Sequence, residues 1–136
     1  MQYLQQGFAF LGPLLKQHVL NELKASFLSF VGKNPDTLIY GVWRHNVWRE
    51  IHCFREALIQ SNIGQIAADL MNTNEVLLFQ DTVIWKPPDS LHRVQWHQDY
   101  SYWPLDQPRG ITIWIALDDT DKNNGCMSFI PQSHKW

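Results

Sequence analysis

Over the first half of the chain, apolar positions recur every three or four residues. Leu15, Val19, Leu20, Leu23, Phe27 and Phe30 share one face of a helix expected from Leu14 to Phe30, which a short extended entry and the Gly12-Pro13 break precede and Gly32 stops. After an Asn34-Pro35-Asp36 turn, Leu38 to Val42 reads as a short extended stretch. Residues 43–61 return to helical period through Val47, Ile51, Phe54 and Leu58, and Ser61-Asn62 caps a third helix from Ile63 to Leu70.

The pattern then changes. Glu75 to Trp85 is rich in Val, Leu, Ile and Phe without a helical stripe, as in a strand, and Pro87-Pro88-Asp89-Ser90 ends it in a turn. Val94 to Tyr100 alternates, with Val94, Trp96, Gln98 and Tyr100 on one side and Gln95, His97 and Asp99 on the other. Gly110 to Leu117 is a continuous apolar run, expected as a strand buried on both faces. Asp118 to Gly125 reads as a polar turn, Cys126 to Ile130 as another strand and Pro131-Gln132-Ser133 as another turn. The fold class expected is α+β, with N-terminal helices packed on a partial jelly roll of cupin type. The chain reads as one domain over residues 1–136, mainly helical over 1–73, with the first strands over 74–136. A jelly roll uses about eight strands, so the C-terminal strands are expected to be missing.

Composition narrows the class of partner. At 136 residues the net charge is −2, and Lys and Arg are scattered, which leaves no basic footprint for nucleic acid or an anionic membrane. No apolar run approaches the roughly 20 residues of a membrane span, and the polar start is unlike a signal peptide. The expectation is a cytoplasmic protein with a small-molecule partner. Cys53 and Cys126 lack metal-site spacing and are expected as thiols in core packing. Seven Trp, seven Phe and four Tyr suit either a β-rich core or an aromatic-lined cavity, and composition leaves both open.

His97-Gln98-Asp99 carries the sharpest chemistry. On a strand, residues two apart project from one face, so an imidazole and a carboxylate there form two-thirds of the two-histidine-one-carboxylate triad of non-haem Fe(II) oxygenases. Alone, such a tripeptide is more often a surface strand pair. Its surroundings add weight, because ordered blocks flank it: Lys-Pro-Pro from Lys86, Trp-His-Gln-Asp from Trp96, Tyr-Trp-Pro from Tyr102, Trp-Ile-Ala-Leu-Asp-Asp from Trp114, Asn-Asn-Gly-Cys from Asn123 and Pro-Gln-Ser-His-Lys-Trp from Pro131. With QQGFAFLGPLL near the start, these blocks make nearly the whole chain resemble the phytanoyl-CoA dioxygenase family.

The resemblance implies that His97 and Asp99 are Fe(II) ligands and that 2-oxoglutarate is the cosubstrate. It further implies that Lys86 contacts 2-oxoglutarate, that Trp114 packs against it, and that Thr82 lines the same pocket, where relatives carry Met or Gln. Each has a plainer reading, as a solvated Lys or a core Trp. Tyr102, Trp103 and Arg109 follow the metal segment and are candidates for the substrate side, Arg109 through a bidentate pair with a carboxylate; an aromatic cover over the barrel end explains Tyr102 and Trp103 equally well. His134, the only histidine downstream of Asp99, falls in the family's Pro-X-Ser-His turn and is not expected as a ligand. The distal histidine and arginine of the family are not in these residues.

The implied reaction couples O2 and oxidation of 2-oxoglutarate to succinate and carbon dioxide with hydroxylation of a small organic or lipid-like substrate. The carboxylate at position 99 favours hydroxylation over halogenation, since related halogenases leave room there for chloride. The competing readings are a non-catalytic jelly-roll ligand-binding module, or a chain that completes its sheet by oligomerisation.

Overall fold

The computed structural model describes residues 2–32, 42–86 and 94–136. The regular elements there are α1 (Gln2–Gln6), α2 (Gln17–Gly32), β1 (Val42–His45), α3 (His52–Gln60), α4 (Ile63–Met71) and β2 (Thr82–Trp85), with 3-10 turns at Val47–Arg49, Asp99–Tyr102 and Ser133–Lys135. The chain is α+β. The turns expected at residues 34–36 and 87–90, and most of the extended stretch 38–42, lie outside the described residues.

Helix α2 forms where its apolar period runs and ends at Gly32. Leu23, Phe27 and Val31, spaced by four, are its buried residues, so the buried stripe ends on Val31 where the sequence suggested Phe30. They meet Val47, Phe54 of α3 and Val83 of β2, with Val19, Trp48, Ile51, Cys53 and Leu117 packed around them. Each such side chain contributes about 1.5–3 kcal/mol when fully buried. Cys53 packs against the core as expected, and it and Cys126 are free thiols.

Strands β1 and β2 pair antiparallel, with Arg44 opposite Val83 and His45 opposite Thr82. Val83 faces the core, and Arg44 on the same face lays its guanidinium 5.0 Å from the centre of the Phe30 ring. Trp43 and Ile84 face outward and stay open, at 49% and 40% exposure.

Several expectations are corrected, the first being the extended entry at the start of the chain, where Gln2–Gln6 is helical and Gly7 N–H closes the last turn on Tyr3 O. Residues 43–45 are strand, not helix, because β2 supplies a ladder; left-handed Asn46, at φ 58°, then turns the chain into the 3-10 turn before α3. Of Glu75 to Trp85, only Thr82–Trp85 forms a strand. Residues 94–98, 110–117 and 126–130 have no ladder partner among the described residues, and Asp99–Tyr102 coils into a 3-10 turn. The run Gly110–Leu117 is not buried on both faces, since Thr112 and Trp114 are exposed. β-branched content states what a segment favours beside a neighbouring strand; it does not supply that strand.

Two anchors position the second half. Lys24 of α2 pairs with Asp118 while Leu117 packs on the core, which ties the end of the 110–117 run to that helix. At the other side, Gln132 N–H donates to Gln6 O at 2.8 Å, Phe8 stacks on Phe129 at 4.8 Å, and His134 Nε2 lies 3.3 Å from Leu4 O. Helix α1 therefore clasps the C-terminal turn.

Candidate metal site

Gln98 has extended backbone, at φ −112° and ψ 130°, so the alternation of side chains holds locally although no strand forms. His97 and Asp99 project to one side. Gln98 points to the other, where its Nε2 donates to Ser133 O at 2.9 Å and fastens the segment to the clasped turn.

His97 Nδ1 lies 2.7 Å from Gln95 O. A carbonyl only accepts, so Nδ1 carries the ring proton and Nε2 faces outward to Asp99 Oδ1, 3.1 Å away. Between an imidazole nitrogen and a carboxylate at that distance there is place for a proton or for a shared cation. Two donors about 2.0–2.2 Å from one metal and at right angles to each other stand about 3 Å apart, so the observed spacing fits a shared cation. Asp99 Oδ2 accepts from the Thr112 hydroxyl. Tyr102 stands edge-on to His97, with centroids 5.5 Å apart and planes at 73°, and restrains the imidazole. His97 and Asp99 keep 31% and 42% of their side-chain surface exposed, which leaves the pair reachable from solvent.

Beside them, a cleft of about 260 Å³ is lined by Trp96, His97, Gln98, Ser128, Phe129, Ile130, Ser133 and Trp136. The other residues singled out from the sequence lie in various places. Thr82 Oγ1 is 2.8 Å from His45 Nδ1 across the ladder. The Lys86 side chain lies over Gly125, a glycine at φ +100°. Trp114 is 42% exposed on the 110–117 run. Trp103 lays its ring on Gly110, and Arg109 lines a different cleft with Tyr3, Leu4, Leu70, Met71 and Pro108. His134 sits in the Ser133–Lys135 turn against Gly7. Among the described residues no three His, Cys, Asp or Glu side chains converge as a metal-holding group.

Thr112 is the residue sequence reasoning missed. Its signal was present, since it is the only hydroxyl-bearing side chain in the otherwise apolar stretch Gly110 to Leu117.

A metal-ligating histidine commonly donates its second ring N–H to a backbone carbonyl, which is the arrangement of His97 with Gln95 O. In comparison with known proteins, residues 3–136 match the family model described as phytanoyl-CoA dioxygenase (PhyH), and the chain belongs to that family. Membership implies Fe(II) and 2-oxoglutarate. The chain is similar to a protein of Stutzerimonas stutzeri named "Probable alpha-ketoglutarate-dependent hypophosphite dioxygenase", at 26% identity over 98% of this chain and 52% of that one. It is also similar to phytanoyl-CoA dioxygenase 1 of Oryza sativa subsp. japonica, at 32% identity over 60% of this chain and 29% of that one. The peroxisomal phytanoyl-CoA dioxygenase of Bos taurus is 36% identical over 44% of this chain and 19% of its own. The chain thus spans about half or less of the length of these relatives. No solved structure matches it significantly. Among the described residues no helix is long and apolar enough to cross a membrane.

Proposed function

We propose that this chain carries two protein ligands of a non-haem Fe(II) centre, His97 and Asp99, and works in a 2-oxoglutarate-dependent oxygenase that hydroxylates a small organic or lipid-like substrate. The observation that carries this reading is the His97 Nε2 to Asp99 Oδ1 separation of 3.1 Å, with Nδ1 fixed on Gln95 O. When bound, Fe(II) supplies open coordination positions for oxygen and a chelating oxo-acid. His97 offers a lone pair whose direction its backbone bond sets, and Asp99 offers one carboxylate oxygen while the other is held. Among the described residues no further His, Cys, Asp or Glu joins the pair. Lys86, Thr82 and Trp114 are assigned to the cosubstrate side, and Tyr102, Trp103 and Arg109 to the substrate side; the edge contact of Tyr102 on His97 supports its assignment. The domain is assigned to a partial jelly roll of cupin type, in a protein of the cytoplasm.

The test is an anaerobic titration of the chain with Co(II) or Fe(II) in the presence of 2-oxoglutarate. A saturable metal-dependent absorption band is expected in the wild type and is lost in His97→Ala. A wild type without that band at millimolar metal overturns the reading.

A further inference from the structure

We infer that Thr112 is a positioning residue for the metal site, dividing the two oxygens of Asp99 so that only one of them faces the metal. The inference rests on the reading of His97 and Asp99 as metal ligands. It starts from the carboxylate itself, whose Oδ1 faces His97 Nε2 at 3.1 Å while Oδ2 accepts from the Thr112 hydroxyl. A hydroxyl donates one proton, and an ionised carboxylate only accepts, so the direction of this bond is settled by chemistry. The bond is charge-assisted and stronger than a neutral one.

Asp99 needs such a partner because its side chain is 42% exposed. Without one, the carboxylate is free to rotate about its last torsion, to hydrate, or to grip a cation with both oxygens. A two-oxygen grip takes up a coordination position that a chelating cosubstrate and oxygen require. Thr112 opposes this by turning Oδ2 toward its own hydroxyl.

The position of Thr112 is itself held from both ends. Two residues before it, the Trp103 ring lies so close to Gly110 that a Cβ there would stand 2.2 Å from Cζ3. Five residues after it, Leu117 packs on the core, and the next residue, Asp118, pairs with Lys24 of α2. A β-branched threonine also has few side-chain rotamers, which keeps its hydroxyl aimed. Tertiary contacts, not the local sequence, therefore bring a residue 13 positions away onto Asp99.

The test compares Co(II) binding by the wild type, Thr112→Val and Thr112→Ser, read by the absorption band and by circular dichroism. Loss of a hydrogen bond that orients a metal ligand weakens metal binding about 10- to 100-fold. Valine is expected to show that loss and a displaced band, because the carboxylate then binds in another mode, while serine stays near the wild type in both. Valine and wild type with equal affinity and an unchanged band overturn the role of Thr112 and leave the His97–Asp99 reading standing. A wild type that binds no metal overturns both. Should the valine variant lose its folded dichroism, Thr112→Ala against Thr112→Ser carries the same comparison, and equal affinities of these two overturn the inference.

Discussion

The Asp81 carboxylate accepts the backbone N–H of Trp48, with Oδ2 3.2 Å from the nitrogen, while the Asp81 carbonyl accepts the N–H of Asn46 at 2.8 Å. One residue just before β2 thus holds the turn that leaves β1. Without that bracket the two-stranded ribbon, marginal by itself, would lose its register against α2.

Asp81 gives the fold a pH dependence of defined sign. Burial pushes its carboxyl above the ordinary carboxylate value, against the opposing pull of backbone N–H groups at Trp48, Asp81 and Val47 and of His45. The native chain then keeps this proton to higher pH than the unfolded chain does. Its contribution is fully present below the ordinary carboxylate value and is lost as pH rises through the raised one. Asp81→Asn keeps an acceptor for Trp48 and removes the titration, so its urea midpoint should vary less between about pH 4 and about pH 7 than that of the wild type. Parallel profiles would contradict this assignment. Asp81→Ala also loses the acceptor and should cost about 1 kcal/mol.

Two glycines should respond oppositely to alanine. In α4, a Cβ on Gly64 meets nothing within 4 Å, so Gly64→Ala should stabilise by about 0.5–1 kcal/mol. At Gly110 the Cβ would enter the Trp103 ring, and Gly110→Ala should cost about 1–3 kcal/mol. Pairing Gly110→Ala with Trp103→Leu should recover part of that loss; additive costs would show that the ring is not the obstacle.

Phe27 is 3% exposed at the centre of the core. Phe27→Ala should cost about 3–5 kcal/mol, a large share of the total for a domain of marginal stability. Chemical denaturation reads this directly, and a loss below 1 kcal/mol would place the core elsewhere.

Gln98 separates anchoring from ligation. Its bond to Ser133 O joins the His97–Asp99 segment to the clasped C-terminal turn, and Gln98→Ala should destabilise by about 1 kcal/mol. Because the side chain points away from His97 and Asp99, Co(II) affinity should stay within about threefold of the wild type, or about 0.6 kcal/mol. A much larger fall would mean that the anchor governs the site.

Helix α2, α3 and α4 were legible because their apolar period is local: each segment carries its own hydrogen-bond partners and only needs a face to bury. The His97 and Asp99 convergence was legible for the same reason, since one extended residue between them suffices to turn both side chains one way. The strands were legible only as tendencies. Thr82–Trp85 became one because residues 42–45 lie beside it, whereas Gly110–Leu117, with a stronger apolar run, stays unpaired among the described residues.

By itself the sequence determined α2, α3 and α4 and the same-side placement of His97 and Asp99. Only the tertiary structure decided that Gln95 O orients the imidazole, that Tyr102 stands against it, and that Thr112 holds the far oxygen of Asp99. The physical reason is range. Helical period and side-chain alternation act over two to four residues, while the Thr112 contact depends on where Lys24, Leu117, Trp103 and Gly110 come to rest.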